Sequence, residues 1–145
     1  MYKHILIPTD GSELSKKALQ HGAALAKAVG ADLTVLTVSA PYQAFVVEPS
    51  AVMDSLDQYR EITSSLSGKV LEAARQIVSK EGVTCKVLHV EHEHPYQAII
   101  DTAKNNGCDL IAMASHGRHG VSAILLGSET AKVLIHCTVP VLVYR

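Results

Sequence analysis

Two stretches of the chain carry residue types that can hold a charged small molecule. The first is Pro8-Thr9-Asp10-Gly11-Ser12, directly after an apolar run. A carboxylate here can accept hydrogen bonds from ribose hydroxyls or an amine. The same Asp10 equally suits an Asx-turn that caps the following helix. The second runs from Ala114 to Thr130 and contains Gly117, Gly127, Ser128 and Thr130. The two glycines lie where the backbone can approach a phosphate with no Cβ in the way. Ser128 and Thr130 fall at a predicted helix start, which offers free N–H groups, hydroxyls and a positive dipole end. Together these make an anion site; alone, the stretch also reads as a glycine-tolerant loop with Ser128 as an ordinary N-cap. The GxxxxGK[ST] phosphate loop is absent, no lysine follows Gly127, and no GxGxxG follows the first strand. Without a lysine to stabilise a transferring phosphoryl group, binding without efficient turnover is the expectation.

The charged and aromatic neighbours divide by role. Arg118 and His119 either screen phosphate or belong to a solvated loop. Glu129 suits a helix first turn but would repel phosphate, so it is expected to face away from a ligand. His116 is expected to make a structural hydrogen bond rather than act as an acid or base.

The elements that must position these residues alternate between strand and helix. Lys3–Pro8 is a short strand closed by turn residues. Ser12 can cap a helix carrying Leu14, Ala18, Leu25 and Val29 on or near one face, stopped by Gly30. Leu33–Val38 is a second strand. Residues 39–53, with Pro41 and Pro49, read as irregular. A mostly polar helix comes next, over about Asp54–Lys80, ending at Gly82. Val83–Glu91 is a third strand, Pro95 opens a helix that Gly107 closes, and Asp109–Ala114 is a fourth strand. A helix over about Ser128–His136 and a last strand over Val139–Tyr144 complete the chain. Strands spaced by helices imply one doubly wound α/β domain over residues 1–145, a parallel sheet with helices on both faces. Ligands in such sheets bind beyond the strand carboxyl ends where the strand order reverses. That rule marks residues 8–12, 38–43, 91–95 and 114–120.

Composition excludes other classes. The chain has 145 residues, 48% of them hydrophobic and 19% charged, so a sizeable core is expected and disorder is not. Thirteen Lys and Arg against fourteen Asp and Glu argue against wrapping nucleic acid. No apolar run approaches the roughly 18 residues of a membrane span, and the N-terminus lacks a signal-peptide layout. Three cysteines, Cys85, Cys108 and Cys137, without CxxC spacing fit reduced thiols in a cytoplasm. Cys137 reads as a small buried apolar residue more readily than as a nucleophile.

Eight histidines give a rival reading. On an extended strand His92 and His94 would share a face, with His89 opposite, and Glu91 or Glu93 could complete a zinc or copper site. The spacing matches no closed structural site, so a solvated strand edge is the simpler expectation. Enzymatic readings lack their motifs, since neither an HxGH signature nor a GxSxG elbow is present.

The segments HILIPTDGSELSKKAL, LTVLTV, DLIAMASHGRHGVSAILLGSET and VPVLVYR resemble, in order and spacing, the universal stress protein family of the universal stress protein A type. Its nucleotide-binding branch carries G-x2-G-x9-G-[S/T], matched here by Ala114, Gly117, Gly127 and Ser128, with Ala114 replacing the first glycine. The resemblance implies strand order 3-2-1-4-5 and ATP as ligand, with a divalent cation such as Mg or Mn on the phosphates. It places Pro8, Thr9 and Asp10 on the adenosine side and Val38 against the adenine. Met113 and Ala114 lie under the nucleoside, and Gly117, Gly127, Ser128 and Thr130 hold phosphates. In that order Val139–Tyr144 is an apolar edge strand, whose pairing with a second copy predicts a homodimer. The function this implies is a cytoplasmic, ATP-binding, dimeric stress regulator. An adaptor of the same fold that leaves the pocket unused is the alternative, and Ala114 is where the two divide.

Overall fold

The computed structural model describes residues 1–42, 49–117 and 125–145, with the backbone alone for residues 49–54. Arg118 and His119 therefore lie outside the described residues. The elements are β1 (His4–Pro8), α1 (Glu13–Val29), β2 (Asp32–Ser39), α2 (Pro49–Lys80), β3 (Lys86–Glu91), α3 (Pro95–Asn105), β4 (Leu110–Ala114), α4 (Ser128–His136) and β5 (Val141–Tyr144). The five strands are parallel, in the order β3-β2-β1-β4-β5.

Alternation along β1 builds both cores. Ile5 and Ile7 face one side and pack with Leu19 and Ala23 of α1 and Leu71, Ala74 and Val78 of α2. Leu6 faces the other side and packs with Ile99 of α3, Val133 of α4, and Ile111 and Met113 of β4. All three β1 side chains are fully buried, so the sheet centre is dry on both faces, as a parallel sheet requires.

The buried face of α1 differs from the expected one. It consists of Ser15, Ala18, Leu19, Gly22, Ala23 and Ala26, while Leu14 and Leu25 are only half-buried and Val29 is exposed. The reason is close approach to the sheet. A Cβ on Gly22 would collide with the Ile7 side chain, so the face is made mostly of small residues, with Leu19 its one large side chain. Ser12 caps the helix as expected, its Oγ accepting from Ser15 N at 3.3 Å. Gly30 ends it at φ 68°, its N–H donating to Ala26 O.

Other boundaries differ from expectation for identifiable reasons. Helix α2 begins at Pro49, not near Asp54, so residues 49–53 are helical and not irregular. Pro is accommodated in a helix first turn, and the described residues of α2 before Ser67 include none that is buried. Strand β5 begins at Val141 instead of Val139, because Pro140 has no N–H to give and contributes only its carbonyl, to Ile111 N at 2.9 Å. Strand β3 begins at Lys86 instead of Val83, since Val83 N turns back to Val78 O at 3.4 Å. The strand ends at Glu91 as expected, so His92 and His94 lie beyond it.

The register places the carboxyl ends of β1 and β4 side by side. Ile5 pairs with Leu110 and Leu6 with Ile111, while Pro8 ends opposite Leu36 of β2. The chain leaves β1 toward β2 on one side and returns to β4 on the other, which is the strand-order reversal.

Candidate functional site

A cavity of about 360 Å³ opens at that reversal. Its walls come from four places far apart in sequence. The end of β1 and its turn supply Pro8, Thr9 and Asp10, and β2 supplies Leu36 and Val38. The end of β4 and the loop after it supply Met113, Ala114, His116 and Gly117, and the start of α4 supplies Gly127, Ser128, Glu129 and Thr130. Ser15 of α1 and Pro95 and Ile99 of α3 close the sides. All ten residues expected from the sequence line this one cavity. Ser15, Leu36, Pro95, Ile99 and His116 were not anticipated as lining residues. For Pro95 a signal existed, since residues 91–95 come after a strand carboxyl end; Ile99 had none, because only helix packing brings it there.

The β1 side of the cavity is internally satisfied. Thr9 N donates to Leu36 O at 2.8 Å, and Thr9 Oγ1 lies 3.0 Å from Ser15 Oγ. Asp10 Oδ1 accepts Ser12 N at 2.9 Å, which is the Asx-turn reading realised. Asp10 also reaches across to the other wall: a Cβ built on Gly117 would collide with its Oδ2. Gly117 is thus required by Asp10 itself, and one carboxylate bridges two loops more than a hundred residues apart.

The α4 side is arranged differently. Gly127 N donates to Ser115 O at 2.6 Å, so its amide is already engaged. A Cβ on Gly127 would stand 3.0 Å from both Ser115 O and His116 Cα. The glycine is needed for the packing of this loop. The Thr130 hydroxyl donates to Ala114 O at 2.9 Å within a buried contact, so its hydrogen is not directed at a ligand. Glu129 borders the cavity, and its carboxylate is engaged elsewhere: Oε2 accepts Tyr96 N at 2.8 Å and Oε1 lies 3.6 Å from Lys132 Nζ. His116 Nδ1 lies 3.2 Å from Ser115 Oγ.

What remains open is the first turn of α4. Its N-cap is Gly127, with no side-chain cap bond. The first helical bond runs from Ala131 N to Gly127 O at 2.9 Å. The amides of Ser128, Glu129 and Thr130 therefore find no acceptor among the described residues, and Ser128 is exposed. Ala114 has no positive φ, since no non-glycine residue among those described does. Its methyl group causes no backbone strain at the position where the motif has glycine.

The histidine cluster does not converge. His89 Nε2 meets Ser39 Oγ at 2.7 Å, while His92 Nδ1 accepts His94 N at 2.8 Å. Among the described residues no group of three His, Cys, Asp or Glu side chains is placed to hold a metal ion. Cys108 is buried, and burial, with Asp109 beside it, pushes its thiol up to about 11.

A doubly wound sheet with a cavity at its switch point, walled by an aspartate turn and an uncapped helix start, defines the class. The chain belongs to the universal stress protein family, whose model matches residues 1–145. It is 32% identical to the universal stress protein YxiE of Bacillus subtilis, over the full length of both chains. Among solved structures it is similar to MJ0577 of Methanocaldococcus jannaschii, with TM-score 0.83, 30% identity and coverage of 99% of this chain and 95% of that one. It also shares its fold with a universal stress protein determined in complex with cAMP, at TM-score 0.73 and 24% identity, covering 99% and 97% of the two chains.

Proposed function

We propose that this chain binds an adenine nucleotide in the switch-point cavity and acts as a nucleotide-dependent, homodimeric regulator in the cytoplasmic stress response. One observation carries the reading: the start of α4 presents three amides without acceptors among the described residues, on the wall of a cavity that also offers the apolar surface of Pro8, Val38 and Met113 and the Asp10 carboxylate. Phosphate oxygens supply the missing acceptors, and the helix dipole favours their charge. Pro8, Val38 and Met113 offer apolar surface for the base, and Asp10 a carboxylate for ribose hydroxyls. Ala114 underlies the nucleoside, while Gly117 and Gly127 shape the loop against Asp10 and Ser115. The phosphates then rest on the amides of Ser128, Glu129 and Thr130. The family relative with cAMP bound supports the fold's capacity for an adenine nucleotide.

Turnover is not part of the reading. No lysine or arginine among the described residues lines the cavity, so none of the described side chains offers a cation to a transferring phosphoryl group. ATP carrying Mg or Mn fits this donor set, because the ion brings the counter-charge that these walls do not supply.

The edge strand supports the homodimer. One side of β5 pairs with β4, and β5 ends the sheet order. Leu142, with Leu134 and Ile135 of the adjacent α4, is exposed. Two copies joined edge to edge by a two-fold axis would cover these residues and continue the sheet. The described helices include none long and apolar enough to cross a membrane.

Calorimetric titration with ATP and ADP tests the binding, alongside analysis of small molecules released on denaturation. Saturable binding at one site per chain is expected. Absence of binding and of any co-purified nucleotide rejects the reading. Light scattering at micromolar concentration tests the dimer, and a monomer mass rejects it.

A further inference from the structure

Helix α3 lacks a cap of its own. Its N-cap residue His94 makes no side-chain cap bond, and Pro95 at the first helical position has no N–H. Gln97 N and Ala98 N both donate to His94 O, at 3.1 and 3.2 Å. One donor is then left over at this terminus, Tyr96 N–H, and it is taken by Glu129 Oε2 of α4 at 2.8 Å. The other Glu129 oxygen faces Lys132 Nζ at 3.6 Å, and that ammonium lies 5.5 Å from the centre of the Tyr96 ring. Tyr96 amide, Glu129 carboxylate, Lys132 ammonium and Tyr96 ring form a closed circuit.

The circuit joins two walls of the cavity. Pro95 and Ile99 belong to α3, Ser128 and Thr130 to α4, and all four line it. Apart from this circuit, the helices meet through side-chain packing about Val133, Ile99 and Tyr96, which sets direction less sharply than a charge-assisted hydrogen bond. The same circuit removes a liability. A carboxylate in the first turn of α4 stands beside the amides that face the cavity, and left free it would repel an anion. Engaged by a helix N-terminus on one oxygen and an ammonium near the other, its charge is directed away.

We propose that Glu129 is a positioning residue for the anionic part of the ligand: it caps α3 from the neighbouring helix and so holds the α3 and α4 walls at the separation that binding needs. This rests on the nucleotide reading above.

Glu129→Ala and Glu129→Gln separate the possibilities. Glutamine keeps a carbonyl oxygen that can accept Tyr96 N–H, and alanine does not. Titration with ATP should show Glu129→Ala weakened about tenfold and Glu129→Gln within about threefold of the wild-type chain. Hydrogen exchange at the Tyr96 amide should accelerate in Glu129→Ala and stay slow in Glu129→Gln. A third variant, Lys132→Met, keeps the hydrogen bond and should leave Tyr96 exchange unchanged. Unchanged ATP affinity in Glu129→Ala, or equal loss in both glutamate variants, overturns the positioning role alone. Tighter ATP binding in both would show the carboxylate facing the ligand and overturns it as well. A wild-type chain that binds no adenine nucleotide overturns the nucleotide reading, and the positioning role with it.

Discussion

Three helices begin around the same cavity, and each treats its orphan amides differently. Helix α1 is capped from within: Ser12 Oγ accepts Ser15 N, and Asp10 Oδ1 accepts Ser12 N. Helix α3 is capped from outside, by Glu129. Helix α4 comes after a glycine and has no side-chain cap. A helix start with its amides unclaimed by protein is less stable than a capped one by about 1 kcal/mol. Among the described residues two of these helix starts are satisfied and the third is not, and the proposed function assigns the third an outside acceptor. The α1 and α4 regions thus line one cavity with their polar groups employed differently, and under the proposed function the second receives the anion.

That contrast can be broken at its strong end first. Ser128→Asp puts a carboxylate over the open amides and should lower ATP affinity by on the order of a hundredfold, with little change in thermal midpoint. Titration calorimetry paired with thermal unfolding reads both, and retained affinity would end the distinction. Gly117→Ala comes next. Its methyl group must displace the Asp10 carboxylate, so ATP affinity should fall about tenfold by the loss of a positioned, charged hydrogen-bond acceptor. Gly127→Leu is a poorer probe, because the added side chain meets Ser115 O and His116 Cα and strains the loop directly.

On the capped side the effect should move from affinity to stability. Ser12→Ala removes the α1 cap and should cost about 1 kcal/mol in urea unfolding, with ATP affinity within a few-fold of the wild-type chain. A large affinity loss there would show that the two regions do not divide as described.

The smallest effect lies at the opposite end of the sheet, away from the cavity. Asp109 accepts His4 N at 3.0 Å and Lys3 N at 2.9 Å, and these backbone bonds, His4 first, hold its carboxyl below the usual carboxylate range. Its stabilising contribution is therefore complete above about pH 4, the unfolded value, and is lost as pH falls through the lower folded value. Asp109→Asn should flatten that part of the acid-unfolding profile without affecting nucleotide binding. An identical profile would show that these bonds carry no linkage.

Much of this organisation is legible in the sequence. Alternating apolar strands and capped helices announce a doubly wound sheet, and the switch-point rule points to the turn after β1 and the stretch after β4. Resemblance then names the ten residues that share one cavity. Sequence and structure part where burial or direction matters more than residue type. Periodicity draws the apolar face of α1 through Leu14, Leu25 and Val29, though contact with Ile7 requires Gly22 and the buried face runs through Ala18, Leu19, Ala23 and Ala26. The start of α2 at Pro49 is hidden because a proline reads as a breaker although a helix first turn accepts it.

The sequence by itself determined the alternation of elements and the residue types at the strand ends, because these come from short-range preferences and from patterns of period two and near four. Only the tertiary structure decided how each polar group is employed. Gly127 N bonds Ser115, the Thr130 hydroxyl bonds Ala114, and Glu129 caps α3. The physical reason is that a hydrogen bond depends on distance and angle between groups remote in sequence, and spacing along a chain records neither.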